Sequence, residues 1–385
     1  MSERSKVFLG TLFVGFVATG AATVLLAPML PILASRSNLS DESSGSLFTC
    51  QFLGSVIGTL ISGYLVRHGG FGRTLSAGYL CMSAFTSGVL AATWPWVAVL
   101  AAVNGVGLGL VIPATNMSVS NSFPKSRASA LNLINLSWSV GAIVCPVVLA
   151  LSVRTGTLKV TIGGLTVLLV VMAIAVLRTT ESDGAERERS AKSRLPRASF
   201  VILAALFFLY VGSEGAAAGW LATFAKRTVM TSGVLWMTAP SFFWAAIMLG
   251  RALSPLLLRW LPERYVLLIG LAISALGLGV VLTGSTSALV LTGAAIVGFG
   301  MSNVFPIFIA MISEYFSDTS ARVTPYLFAM AGLGGAVLPW LVGLVSSHTG
   351  QLRVGLVIAI AGVLTQLVLS SVLMLLFPTA GTDSV

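Results

Sequence analysis

Apolar residues dominate this chain in long runs that are separated by short polar segments. A helix rises 1.5 Å per residue, so about 20 apolar residues span the hydrocarbon core of a bilayer. The runs predict twelve membrane-spanning helices, at roughly 7–34, 45–66, 74–92, 96–121, 127–152, 159–178, 199–226, 231–258, 264–284, 287–314, 321–347 and 352–377. Prolines inside these runs predict kinks, at Pro28, Pro113, Pro146, Pro240, Pro306 and Pro339.

One polar segment, 179–198, is much longer than the other loops. Charges of both signs occupy it, from Glu181 to Arg197, which is typical of a solvated linker. The predicted helices divide equally on its two sides. The pattern therefore predicts an N-terminal six-helix bundle over 1–178, a cytoplasmic linker over 179–198 and a C-terminal six-helix bundle over 199–385.

The two predicted bundles repeat each other. At an offset of 193 residues the matching positions are Gly105 with Gly298, Gly107 with Gly300, Pro113 with Pro306, Gly141 with Gly334, and Pro146 with Pro339. At an offset of 192 residues, Gly58 matches Gly250 and Arg67 matches Arg259. Parallel repeats of this kind are typical of membrane proteins whose halves rock about a central site. We therefore expect an all-α integral membrane protein of two pseudo-symmetric six-helix bundles.

Composition supports the membrane assignment, because 56% of the residues are hydrophobic and only 9% are charged. A soluble domain has about 25% charged residues. The net charge of +10 does not indicate a nucleic-acid partner, because Lys and Arg lie in short loops rather than in a basic stripe. Their excess on one side predicts that both termini are cytoplasmic. We expect a monomer in the cell (plasma or inner) membrane, with the lipid bilayer as a partner.

No group of residues is typical of catalysis or of metal binding. Cys50, Cys81 and Cys145 lie in apolar runs at unrelated spacings, as small buried hydrophobic residues do. His68 and His348 lie in loops. Since no nucleophile, base and metal ligands form a set, we expect no metal, no cofactor and no enzyme activity. A solute sensor is disfavoured as well, because no soluble domain is predicted beside the helices.

Glu214 is the acidic residue placed deepest in a predicted helix, near the middle of the run 199–226. A carboxyl group is costly at that depth, so it indicates a functional site. Desolvation disfavours its charged form, so the group can take up and release a proton. Tyr210 lies one turn earlier on the same face, where its hydroxyl can donate to the carboxyl. The alternative is a neutral acid that only fixes helix packing.

Uncharged polar and aromatic side chains occupy several other predicted helices. Asn132, Asn135 and Trp138 follow one another at i, i+3 spacing near one helix face. Gln51 lies mid-helix, and the offset of 193 residues places Trp244 at the equivalent position. Amides match hydroxyl groups and indole faces pack on sugar C–H surfaces, although membrane amides also join helices. We predict that a neutral polar solute binds Gln51, Asn104, Asn116, Asn132, Asn135, Trp138, Trp220, Trp244 and Asn303.

Arg251 is predicted about eight residues from the cytoplasmic end of its helix, which corresponds to about 12 Å of depth. At that depth it is too shallow to pair with Glu214. Glu314 and Asp318 lie at the cytoplasmic end of another predicted helix and are better placed. We predict that Arg251, Glu314 and Asp318 form a gating or structural charge cluster.

Three sets of motifs support a family resemblance. They are the stretch from Phe208 through Glu214 to Trp220; the set Phe123–Arg127, Leu131–Asn135 and Gly141–Pro146; and the pair Gly334–Gly343 and Gly350–Arg353. Together with the twelve helices and the repeat, they resemble the fucose permease and sodium-dependent glucose transporter group of the major facilitator superfamily. The resemblance covers essentially the whole chain. It implies the major facilitator fold and secondary active transport by alternating access.

Two departures from the family pattern bear on the mechanism. Arg67 stands in the loop between the second and third helices where the family usually has an Asp. The resemblance also implies acids in the first and fourth helices, whereas the polar residues here are Thr11, Thr19 and Thr23, and Asn104, Asn116 and Asn121. Glu214 is therefore the candidate for ion coupling.

The expected function is symport of a small neutral polar solute with a proton bound by Glu214, and the expected solute is a sugar. Sodium is the competing coupling ion. A second hypothesis keeps the fold and makes the protein a proton-linked exporter of amphipathic compounds, because adaptable apolar surfaces suit such cargo. Import and export are both compatible with the pattern.

Overall fold

The computed structural model describes residues 3–123, 127–179, 197–229, 233–316 and 319–376. Within these ranges the chain is almost entirely helical and contains no β-strand. The predicted all-α class is confirmed.

The helices before the linker are α1 Glu3–Val24, α2 Leu26–Ser37, α3 Asp41–Gly88, α4 Trp96–Ser122, α5 Arg127–Thr155 and α6 Leu158–Thr179. After the linker come α7 Arg197–Thr228, a 3-10 turn Leu235–Thr238, α8 Ala239–Trp260, α9 Glu263–Thr283 and α10 Ser287–Met301. The chain continues with α11 Val304–Tyr315, α12 Ser320–Thr349, α13 Leu352–Gly355 and α14 Val357–Leu376.

Within the described residues, the helices correspond to the predicted membrane spans. Eleven segments are long and apolar enough to cross a membrane. One of them, α3, has 48 residues and changes direction at Gly70, whose φ is 78°. This conformation favours glycine, which has no Cβ to clash with the backbone. Gly70 lies between the predicted spans 45–66 and 74–92, so α3 comprises two of the twelve.

Two spans are interrupted just before a proline. Helices α1 and α2 meet at Leu25, three residues before Pro28, and Ser302 and Asn303 separate α10 from α11, just before Pro306. Proline has no N–H, and its ring clashes with the carbonyl four residues earlier, which therefore loses its helical donor. The helices run continuously through three other predicted kinks, Pro113, Pro146 and Pro339.

The chain divides into two compact units. Unit 1 consists of Met1–Leu39, Ser46–Arg187 and Ser232–Ser241, and unit 2 of Ser40–Gly45, Glu188–Thr231 and Phe242–Val385. Each half of the sequence thus contributes one short segment to the unit built mainly from the other half. The predicted domain boundaries at 178 and 199 stay a prediction, because 180–196 lies outside the described residues.

The contributed segments are equivalent in the repeat, since Ser40 and Ser232 are 192 positions apart. In unit 1, the 3-10 turn packs against α2 and α5, and the Ser241 hydroxyl donates to the Ile143 carbonyl at 2.8 Å. In unit 2, both guanidinium NH2 groups of Arg227 donate to the Asp41 carboxylate, at 2.6 and 2.7 Å. The Ser346 hydroxyl donates to the same carboxylate. Among these described contacts, the segment in unit 2 is therefore anchored by an ion pair, and the segment in unit 1 is not.

Close helix contacts recur at repeat-equivalent glycines. A Cβ on Gly141 of α5 would lie 1.9 Å from the Val17 carbonyl oxygen of α1, and a Cβ on Gly334 of α12 would lie 1.8 Å from the Phe208 oxygen of α7. No side chain fits at such distances, so each glycine lets two helices touch through their backbones. The pair α1–α5 in unit 1 and the equivalent pair α7–α12 in unit 2 are thus packed in the same way.

A second glycine pair corrects the predicted partner of Gln51. A Cβ on Gly105 would lie 1.9 Å from the Gln51 carbonyl oxygen, and a Cβ on Gly298 would lie 2.1 Å from that of Phe243. The structural equivalent of Gln51 is therefore Phe243. The predicted equivalence with Trp244 is wrong by one residue, because this pair of spans follows the offset of 192.

Candidate functional site

Glu214 and Tyr210 lie one turn apart on α7, inside unit 2. The Tyr210 side chain is only 2% exposed, and Glu214 is partly buried. The Tyr210 hydroxyl lies 3.0 Å from Oε1 of Glu214 and 3.3 Å from the Met301 carbonyl oxygen. A phenol has one proton to donate. Tyr210 can therefore donate either to the carboxyl group or to the Met301 carbonyl, but not fully to both.

The interruption before Pro306 makes backbone carbonyls available at this point. Pro306 lacks the N–H that would pair with the Ser302 carbonyl in a regular helix. Instead, Nε of Arg251 donates to the Ser302 oxygen at 3.3 Å. The Met301 carbonyl, one residue earlier, faces Tyr210. The interrupted helix thus supplies one carbonyl acceptor to Tyr210 and another to Arg251.

Arg251 lies closer to this group than its position in the sequence suggested. Besides Ser302, its side chain interacts with the Tyr210 hydroxyl and is within Coulombic range of Glu214. Arg251 thus lies nearer to Glu214 than its depth along the helix predicted, although no ion pair joins the two side chains among the described residues. A depth calculated along the helix axis ignores the reach of a long arginine side chain.

The charge cluster predicted around Arg251 also needs correction. In the described structure the Arg251 side chain bonds to the Ser302 carbonyl and interacts with the Tyr210 hydroxyl, while the Glu314 side chain is exposed to the surroundings. Asp318 lies outside the described residues. The cluster of Arg251 with Glu314 is not formed in the described structure.

Two aromatic rings of α11 cover the side chain of Tyr210. Phe305 stacks on the Tyr210 ring, with centroids 5.6 Å apart and an interplanar angle of 29°. Phe308 contacts the same ring edge-on at 6.2 Å. Sequence reasoning missed both residues, although they flank Pro306 in a short apolar helix. They limit the access of water to the hydroxyl and so strengthen the polar contacts behind them.

In unit 1, two of the predicted amides meet the end of α1. Nε2 of Gln51 donates to the Thr23 carbonyl at 3.0 Å, and Nδ2 of Asn104 donates to the Ala22 carbonyl at 3.2 Å. These carbonyls lie in the last turn of α1, where helical donors run out. The Trp138 indole N–H joins the group by donating to the Thr23 hydroxyl at 3.3 Å. Gln51, Asn104 and Trp138 therefore form one cluster around Ala22 and Thr23.

The other unit 1 amides form a separate pair. Nδ2 of Asn135 donates to Oδ1 of Asn116 at 3.2 Å and to the Leu131 carbonyl at 2.7 Å. Nδ2 of Asn116 donates to the Ile112 carbonyl. Asn135 and Asn132 are exposed side chains on α5. Asn135 and Trp138, which were predicted to share one face of α5, thus belong to two different groups: Asn135 pairs with Asn116, and Trp138 joins the cluster around Thr23.

The remaining predicted ligands lie in unit 2 and differ in accessibility. Trp220 of α7 is completely buried, and its indole N–H donates to the Pro339 carbonyl of α12 at 2.9 Å. Trp220 is therefore a packing residue in this conformation, contrary to its predicted role in solute binding. Trp244 is partly buried and its ring neighbours that of Phe243. Asn303 precedes α11 and is 7% exposed, and its Oδ1 has no hydrogen-bond partner among the residues that the structure describes.

Comparison with known proteins identifies transporters along most of the chain. The glucose/mannose transporter GlcP of Bacillus subtilis is 22% identical over 85% of both chains. The sodium-dependent glucose transporter 1 of Danio rerio is 24% identical over 86% of this chain and 63% of its own length. The gentisate transporter of Corynebacterium glutamicum is 24% identical over 88% of this chain and 80% of its own.

The fold is shared with solved transporters. The crystal structure of the E. coli fucose:proton symporter FucP matches with a TM-score of 0.61 at 16% identity, covering 95% of this chain and 97% of that chain. The predicted resemblance to the fucose permease and glucose transporter group is confirmed, and this multi-pass membrane protein is a transporter rather than an enzyme. The family model described as Major Facilitator Superfamily matches residues 12–265. The chain therefore belongs to the Major Facilitator Superfamily.

Proposed function

We propose that this protein moves a small neutral polar solute across the membrane by alternating access and couples that movement to a proton bound by Glu214. The observation that supports the coupling role is the position of the Tyr210 hydroxyl between Glu214 and the Met301 carbonyl, at 3.0 and 3.3 Å. When Glu214 is charged, the hydroxyl donates to the carboxylate. When Glu214 is neutral, the hydroxyl can turn to Met301, so the phenol proton has an acceptor in both states.

Arg251 complements this exchange as a fixed positive charge. An isolated carboxylate is costly in the membrane interior, and a nearby cation lowers that cost. With the proton bound, Arg251 still has the Ser302 carbonyl as an acceptor. The group can therefore alternate between two protonation states without losing its main contacts.

The solute class is inferred from the uncharged side chains and from the relatives. Gln51, Asn104 and Trp138 supply amide and indole groups but no charge. GlcP is a glucose/mannose transporter and FucP is a fucose:proton symporter. These sugars have hydroxyl groups that amides recognise and C–H surfaces that pack on indoles. A hexose is thus the first solute to test.

The coupling role is tested with Glu214→Gln in proteoliposomes, using labelled D-glucose, D-mannose and L-fucose. The wild type should accumulate one of them when a proton gradient is imposed. The variant should only equilibrate it, while exchange across the membrane without a gradient continues at a similar rate. Glu214→Asp, which keeps a titratable carboxyl, serves as the matched control and should retain part of the accumulation. Full accumulation by Glu214→Gln would show that the proton binds elsewhere.

The same vesicles distinguish the proton from sodium. A sodium gradient at fixed pH, in the presence of a protonophore, should give no accumulation. Accumulation under those conditions would identify sodium as the coupling ion and refute a proton on Glu214.

A second candidate function is proton-coupled transport of an aromatic acid. It is favoured by the cationic Arg251 beside Tyr210 and by the similarity to the gentisate transporter. Gradient-driven accumulation of labelled gentisate, without accumulation of any of the three hexoses, would select this candidate.

A further inference from the structure

The amide cluster of unit 1 has a definite polarity. The NH2 groups of Gln51 and Asn104 are turned toward the Thr23 and Ala22 carbonyls. An amide side chain can bind a carbonyl only through its NH2 group. Both side chains are therefore fixed in orientation, with the NH2 group toward α1. The Trp138 N–H is engaged as well, by the Thr23 hydroxyl.

The two amide oxygens lack partners. Oε1 of Gln51 and Oδ1 of Asn104 are sealed from the surroundings and have no hydrogen-bond donor among the described residues. The two residues themselves are 7% and 0% exposed. A buried acceptor without a donor loses the hydrogen bonds that water would give it, so two in one cluster need a reason. A ligand that brings its own donors would remove the penalty.

The amide pair of Asn116 and Asn135 uses its donors in the same way. The NH2 group of Asn135 is engaged by Asn116 and the Leu131 carbonyl, and that of Asn116 donates to the Ile112 carbonyl. In both groups the NH2 donors bind the protein, although in this pair Oδ1 of Asn116 already accepts from Asn135. A carboxylate or phosphate needs donors or cations from the protein, and these amides offer neither.

We propose that Gln51 and Asn104 form an acceptor-only subsite, which binds two hydroxyl groups of an uncharged polyhydroxyl solute and rejects carboxylates. This inference rests on the proposed transport of a neutral solute and specifies how the solute is selected. The solute's hydroxyls donate to Oε1 of Gln51 and Oδ1 of Asn104 when the transport cycle opens this cluster. An aromatic acid would instead need hydrogen-bond donors or a cation from the protein for its carboxylate.

Thermal unfolding of the purified protein tests the solute class. The probes are D-glucose, D-mannose, L-fucose and myo-inositol as neutral polyols, and gentisate and benzoate as acids. Because a ligand of the folded state raises Tm, at least one polyol should raise it by several degrees, and the acids should not. Stabilisation by an acid, or by no polyol, overturns the proposal.

Two near-isosteric variants test the residues. Asn104→Leu and Gln51→Met remove the unpaired oxygens together with the NH2 groups that bind α1, so these opposing effects should leave Tm without solute nearly unchanged. The Tm shift caused by the polyol should disappear in both variants. A retained shift refutes the subsite, and a variant that fails to fold is replaced by Asn104→Asp. That substitution keeps acceptor oxygens but loses the NH2 group, and it should retain polyol stabilisation relative to its own baseline.

Deoxyfluoro analogues of the stabilising polyol test the direction of the hydrogen bonds. Fluorine keeps the size of the hydroxyl but cannot donate. Substitution at two positions should weaken binding roughly tenfold or more, as expected when a buried acceptor is left unpaired. Equal binding of all analogues refutes the donor role. Glu214→Gln should keep the polyol shift, so a failure of proton coupling is distinguished from a failure of this subsite.

Discussion

At the scale of single residues, a membrane-embedded carboxyl group needs a partner in each protonation state. Tyr210 supplies one because its hydroxyl has two acceptors within 3.3 Å, and Arg251 supplies a charge. Pro306 contributes indirectly, since its missing N–H leaves the Ser302 carbonyl to Arg251. The proton-binding group is thus built from a carboxyl, a phenol, a guanidinium and one interrupted helix.

Arg251→Gln should disable coupling in the same way as Glu214→Gln. Without the cation, the charged form of Glu214 is too costly to populate, so the proton is never released. Concentrative uptake should fall by at least about tenfold, which corresponds to the loss of about 1.4 kcal/mol of stabilisation. Solute exchange without a gradient should persist.

The matched comparison is Arg251→Lys, which keeps the charge but loses the guanidinium fork. It should retain part of the uptake. Arg251→Gln combined with Glu214→Gln should be no worse than either variant alone, because both act on one step. Strictly additive losses would mean that Arg251 acts independently of Glu214.

Sequence reasoning placed some of these residues and misplaced others for physical reasons. The Tyr210–Glu214 contact follows from i, i+4 spacing, which any regular helix enforces. Arg251 was misplaced because side-chain reach and a helix interruption are tertiary properties. Trp220 was assigned to solute binding, yet its burial depends on the packing of α12 at Gly343, where an added Cβ would lie 3.1 Å from the Trp220 ring. Local patterns do not reveal which face of a helix is covered by its neighbour.

At the scale of helices, glycine determines how closely pairs can pack. The pairs α1–α5 and α7–α12 touch through their backbones at Gly141 and Gly334. The glycines were identified from the repeat, but their partners required the structure. By contrast, the interruptions at Pro28 and Pro306 could not be distinguished by sequence from Pro113, Pro146 and Pro339, because neighbouring helices decide whether a helix stays continuous.

Gly334→Ala should destabilise the protein strongly. Its new Cβ would lie 1.8 Å from the Phe208 oxygen, so α7 and α12 must separate. Overpacking of this kind costs about 1–3 kcal/mol, and a lower Tm of the purified protein should report it.

Gly163→Ala on α6 is the control, because no atom lies within 4 Å of the added Cβ. It should leave Tm unchanged or raise it, since alanine favours the helix more than glycine does. Equal Tm values for Gly334→Ala and Gly163→Ala would contradict the close α7–α12 contact.

At the scale of the whole molecule, the two units share packing but differ in chemistry. Unit 1 contains the neutral amide cluster, and unit 2 contains Glu214, Tyr210 and Arg251. The repeat predicted the architecture correctly, because glycine and proline positions follow the fold. It did not predict which unit would contain Ser40–Gly45 or Ser232–Ser241, since short segments of the chain are assigned by their contacts rather than by their own composition.

The anchor of Ser40–Gly45 in unit 2 gives a prediction at this scale. Arg227 and Asp41 form a two-point ion pair, with side chains 45% and 11% exposed. The exposure of Arg227 limits the contribution of the pair to about 1 kcal/mol. In a double-mutant cycle of Asp41→Asn and Arg227→Gln, thermal or denaturant unfolding should give a coupling energy of about that size.

Glu42→Gln provides the control for this cycle, because it removes the same charge one residue further along from an exposed side chain. Combined with Arg227→Gln, it should show no coupling. Ser346→Ala should weaken the anchor as well, because its hydroxyl also donates to Asp41. If Glu42 coupled to Arg227 as strongly as Asp41 does, the stabilisation would come from general surface charge. Coupling confined to Asp41 would instead show that this carboxylate holds the start of α3 in unit 2, while the rest of that helix belongs to unit 1.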